Sequence, residues 1–221
     1  MKFEAILFDC DGVLVDSEAI TNGVLCAMLN EAGWALAPDE CMRIFIGKTV
    51  RSEAARIEAH TGQPLTDAWM AAFYALRDQG LHAHLQAIPG AVAAVQQCHA
   101  LLGGKIAVAS GADKAKVLMQ LDKVGLLPLF DPHIFSGHDL PRTKPFPDVY
   151  LAAAASLQRD PRRCLVIEDA LPGLQAGLAA GATVWGYCPW EGGHTTPEAL
   201  LAAGAQRVLR DMAELPGLLR H

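Results

Sequence analysis

Four short, mainly apolar runs that end abruptly in acidic, hydroxyl or glycine residues constrain this chain more than any other feature. Ala5 to Phe8 runs into Asp9, Lys105 to Ala109 into Ser110-Gly111, Cys164 to Ile167 into Glu168-Asp169, and Ala182 to Gly186 into a Gly/Pro-rich loop. A strand covered by helices on both faces has no wet side, so it reads as a continuous apolar run rather than an alternating one. Between these runs lie stretches with helical patterning at Ala91–Leu101, Ala112–Val124, Pro147–Leu157 and Leu171–Ala180, several of them closed by glycine. Strands alternating with helices predict an α/β fold: a Rossmann-like, doubly wound parallel sheet of expected order 3-2-1-4-5. Ligands of such sheets bind beyond the carboxyl ends of the strands, where the polar residues here collect.

Residues 16–85 break the rhythm. Ile20, Val24, Leu25, Met28 and Leu29 form one apolar stripe, and Ala54, Ile57 and Ala68–Leu76 continue in the same manner, without a convincing strand. The expected organisation is a discontinuous core of residues 1–15 and 86–221 and a helical insert at 16–85, which the chain leaves through a turn at Ile88-Pro89-Gly90. A net charge of −6 argues against a protein that coats nucleic acid, so affinity for a phosphorylated ligand must come from a local cation. Six cysteines (10, 26, 41, 98, 164 and 188) without a CxxC pair fit a reducing compartment. With acids from residue 4 onward and no run of membrane-spanning length, the expectation is a cytoplasmic, membrane-free protein, a monomer or at most a dimer.

The chemistry concentrates in Asp9-Cys10-Asp11-Gly12, where the first strand ends. Alternation along a strand lets Asp9 and Asp11 face the same site while Cys10 packs inward. One carboxylate can attack phosphorus while the other protonates the leaving oxygen and then activates water; the alternative is a solvated acidic turn. Glu168-Asp169 repeats the pattern, and carboxylates gathered at strand ends would repel one another without a cation such as Mg²⁺, a hard ion suited to oxygen ligands. The alternative for this pair is helix capping. Ser110-Gly111 could hold a phosphate at a helix start, or Ser110 could simply cap that helix. Lys144, rigidly placed before Pro145, could neutralise a phosphoryl group in transfer, or be a solvated surface lysine.

In this order, Asp9-x-Asp11-Gly12-Val13-x-x-Asp16-Ser17, Ser110, Lys144-Pro145 and Glu168-Asp169 resemble the four motifs of the haloacid dehalogenase superfamily over the whole chain. More narrowly they resemble the branch of beta-phosphoglucomutase and phosphoglycolate phosphatase, whose members insert a helical cap after the first motif. The resemblance implies a magnesium-dependent phosphatase of a small metabolite, a sugar phosphate or phosphoglycolate, working through an aspartyl-phosphate. It implies Asp9 as nucleophile and metal ligand, and Asp11 as general acid/base that also offers a backbone carbonyl to the metal. Ser110, Gly111 and Lys144 would hold the phosphoryl group, while Asp169 and, directly or through water, Glu168 would complete the metal shell. Substrate choice is attributed to the cap, where Gly47, Lys48 and Arg51 in a basic connection are the candidates.

Several departures narrow the reading. Beta-phosphoglucomutases carry a histidine where this chain has Thr21, which weakens a mutase reading without removing it as the alternative. Dehalogenases proper lack the carboxylate supplied by Asp11. Phosphonate hydrolases of the superfamily use a cap lysine, for which Lys48 would be the only candidate. An aspartyl-phosphate switch of the receiver type, the alternative outside catalysis, carries its acceptor on a later strand and has no insert. Trp185, Tyr187, Trp190 and His194 around a late loop read as packing or a contact surface.

Overall fold

The computed structural model describes residues 2–45, 48–190 and 195–220. Six parallel strands form one sheet: β1 (Ala5–Phe8), β2 (Ile106–Ser110), β3 (Ile134–Ser136), β4 (Cys164–Glu168), β5 (Thr183–Tyr187) and β6 (Arg207–Leu209), in the order β3-β2-β1-β4-β5-β6. The expected five-strand order is present, and a sixth strand extends it at the β5 edge. Chain direction across the sheet reverses between β1 and β4, whose register sets Phe8 opposite Ile167. That reversal opens a crevice at the strands' carboxyl ends.

Alternation along the strands supplies both faces of the sheet. Ala5, Leu7, Ala107, Ala109 and Val166 pack into one layer with Val149, Tyr150 and Ala153 of the helix Asp148–Ser156. Small alanines on both partners let that helix approach closely. On the opposite face Phe8 meets Phe130 edge-on, ring centroids 5.9 Å apart. Each such fully buried side chain stabilises the fold by about 1.5–3 kcal/mol relative to exposure.

Two compact units make up the chain: residues 1–16 with 86–221, which carry the sheet, and residues 17–85. Within the first unit both chain crossings run side by side. The Asp16 N–H donates to the Gln86 carbonyl at 3.0 Å, the Ile88 N–H to that of Leu14 at 3.0 Å, and Val15 bridges antiparallel to Ala87. The second unit is helical, with Glu18–Glu31, Pro38–Phe45, Ala54–Thr61 and Asp67–His84. Leu25, Leu29, Trp34, Phe45, Met70 and Phe73 build its own apolar core. All six cysteines are buried thiols. No described helix is long and apolar enough to cross a membrane.

Candidate active site

β1 delivers Asp9 to the crevice, and the ladder still holds its backbone, since the Asp9 N–H donates to the Ile167 carbonyl at 3.0 Å. The residue is only 7% exposed. Burial, reinforced by the neighbouring charges of Glu168 and Asp11 and opposed by Lys144, raises its pKa to about 7. Lys144 Nζ lies 2.6 Å from Asp9 Oδ1 and 2.6 Å from Glu168 Oε1. Burial works against the ammonium, but those two carboxylates outweigh it and hold the lysine well above its ordinary pKa. A solvated surface position is therefore excluded for Lys144.

Glu168 is almost fully enclosed, and four donors converge on it. Lys144 and the Tyr150 hydroxyl, the latter at 2.9 Å, reach Oε1, while the backbone N–H groups of Asp169 and Ala170 reach Oε2 at 3.1 and 3.2 Å. The helix Leu171–Ala179 is capped at Ala170, without a side-chain cap bond, so the two acids are not its capping residues. Gly173 in the first turn of that helix leaves room for the Glu168 carboxyl, which any Cβ there would overlap.

Behind Asp9 the chain turns tightly. Gly12 sits at φ +75° with its N–H on the Val15 carbonyl at 2.9 Å, and a Cβ at this position would run into the Asp169 carboxyl. Glycine is required twice over, by the left-handed backbone and by the close approach. The Asp11 carboxyl meets the helix Lys114–Lys123, where Lys116 Nζ and Gln120 Nε2 both donate to its Oδ1 at 2.8 Å. Ser110 closes β2, and its Oγ accepts from the Ala112 N–H at 3.0 Å. The helix that follows is capped by Asp113 rather than by Ser110.

One carboxylate oxygen from each of Asp9, Glu168 and Asp169 lies within 4.8 Å of the other two. Three carboxylates set against the one ammonium of Lys144 carry two excess negative charges when ionised. A buried set of hard oxygen donors with that excess suits a divalent cation of the magnesium type.

Lys48 and Arg51 belong to the helical unit and are engaged there, Lys48 with Glu53 at 3.1 Å and Arg51 with Asp67 at 2.7 Å. Gly47 and His194 lie outside the described residues. Trp185 and Tyr187 are buried in β5, whereas Trp190 is exposed beneath Arg210, whose guanidinium carbon is 4.3 Å from its ring centroid. Sequence reasoning does not single out Lys116, Gln120 or Tyr150. The signal that could have found the first two is their four-residue spacing on the helix that follows Ser110.

A lysine clamped by buried carboxylates at the reversal point of a doubly wound parallel sheet is an arrangement suited to an α/β enzyme of the phosphoryl-transfer kind. The sequence pattern of the haloacid dehalogenase-like hydrolases matches residues 3–181, and the chain belongs to that family. It is 30% identical over 188 residues to the 6-phosphogluconate phosphatase of Escherichia coli (strain K12), across 85% of this chain and 83% of that protein. A conserved haloacid dehalogenase-like protein of Agrobacterium tumefaciens shares the fold with a TM-score of 0.84 at 34% identity, covering 99% of this chain and 98% of its own. A family hydrolase of Deinococcus radiodurans, solved with bound phosphate and sodium, gives 0.82 at 34% identity, covering 99% and 95%.

Proposed function

We propose that this protein is a magnesium-dependent phosphatase that hydrolyses a small phosphate monoester, of the sugar phosphate or phosphoglycolate type, through an aspartyl-phosphate on Asp9. The observation that carries this reading is the buried Asp9–Lys144–Glu168 clamp at the carboxyl ends of β1 and β4. Asp9 and Asp169 would hold the magnesium ion. Glu168, whose oxygens already accept four hydrogen bonds, acts chiefly by fixing Lys144. Bound there, magnesium supplies Lewis-acid charge at the phosphoryl oxygens.

In the first half-reaction an Asp9 oxygen attacks phosphorus, the bond from phosphorus to the ester oxygen breaks, and Asp11 gives its proton to the departing alcohol. In the second, water attacks the phosphoryl group, Asp11 takes the water's proton, and the bond to Asp9 breaks to release inorganic phosphate. Lys144 and the Ser110 hydroxyl would hold the phosphoryl oxygens through both steps. The names of phosphatase relatives support the substrate class.

The test is inorganic phosphate release from a panel of phosphosugars, phosphosugar acids and phosphoglycolate, with magnesium and then with a chelator. Magnesium-dependent release from a few related esters is the expected result. Absence of release from every ester would overturn the phosphatase reading in favour of transfer to a second hydroxyl.

A further inference from the structure

Two side chains outside the motif residues reach into the site from below. Lys116 and Gln120, one helical turn apart on Lys114–Lys123, are 8% and 0% exposed, and both donate to one oxygen of Asp11 at 2.8 Å. Burying a lysine amine and a primary amide is costly unless each finds a partner, and an apolar residue of similar length would fill either volume at less expense. The amide is also oriented from its other end, because the Cys10 thiol lies 3.6 Å from Gln120 Oε1. That contact directs the NH₂ group at the carboxyl, and a carboxylate can only accept from it.

Resting on the acid/base role proposed for Asp11, we infer that Lys116 and Gln120 are positioning residues that hold the Asp11 carboxyl by its Oδ1 and so set its orientation for proton transfer. Neither residue touches the substrate in this scheme; each acts through Asp11.

Two aryl esters of nearly the same shape test this. Phenyl phosphate has a basic leaving group that needs a proton, whereas p-nitrophenyl phosphate departs without one. The informative variant is Gln120→Leu, which removes a donor with no change of charge; Lys116→Met is the second, and thermal melting checks that both fold. The expected result is a loss of about tenfold or more in kcat/KM on phenyl phosphate, a fraction of the 10²–10⁴ typical of general acid catalysis. On p-nitrophenyl phosphate kcat/KM should change by less than about threefold, while kcat falls because the water step still needs Asp11. Equal losses on both esters, or no loss on either, in correctly folded variants would overturn the inference. Asp11→Asn separates the two layers of argument. If it too fails to discriminate between the esters, the acid/base role of Asp11 falls; if it discriminates and the Gln120 and Lys116 variants do not, only the positioning falls.

Discussion

Asp9 concentrates the consequences that one residue can carry. Asp9→Asn removes the proposed nucleophile at nearly constant volume, so phosphate release should fall below detection while the circular dichroism spectrum stays unchanged. The Asp9 carboxyl, its pKa raised to about 7 mainly by burial, would also tie the proposed magnesium binding to pH. Between an unfolded value near 4 and a folded one near 7, the metal-free native state holds a proton that the unfolded chain has lost. For this group, therefore, stability falls as pH rises through that window. Because a bound ion must displace that proton, magnesium affinity should rise with pH up to about 7. Calorimetric titration at pH 5.5 and pH 8 should show tighter binding, and a larger rise in melting temperature on adding magnesium, at the higher pH. Gly12→Ala should be as damaging as loss of a carboxylate, since its Cβ would displace Asp169. The measurement is magnesium-dependent activity beside a melting curve, with activity expected to fall further than stability.

At the scale of elements, the two strands that sequence patterning does not reveal share one property. β3 and β6 are three residues long, and within β6 only Leu209 is buried, so neither offers a periodic or continuous apolar signal. β1, β2, β4 and β5 are legible because burial on both faces keeps their interiors apolar. Their abrupt polar ends also mark Asp9, Ser110 and Glu168-Asp169 as site candidates. Lys144 is legible only through motif order, since nothing local distinguishes a buried lysine from a solvated one. Lys116 and Gln120 escape for a related reason: beside Val117 and Leu121 they read as the wet face of an amphipathic helix, yet that face looks onto Asp11. The Glu168 environment is equally hidden, because Tyr150 comes from another helix. Phe8, the last residue of β1 and buried against Phe130, measures the strength of the layer beneath the site. Phe8→Ala should cost about 3–5 kcal/mol in chemical denaturation, with little change in KM for the population that remains folded.

On the scale of the whole molecule, the paired crossings at Asp16–Gln86 and Leu14–Ile88 determine how the chain is divided. An insert whose two ends leave the core a single hydrogen bond apart imposes almost no closure entropy on the host. Replacing residues 17–85 with a short Gly/Asn turn should leave a sheet unit that still melts cooperatively and retains its α/β circular dichroism spectrum. A non-cooperative melt would show that the core depends on the insert. Seen as inheritance, the crossing is a socket. Whatever folds between those two crossings can be lengthened, shortened or exchanged without re-registering a single strand of the sheet, so selection can revise one part of the chain while the carboxylates at the strand ends stay where they are.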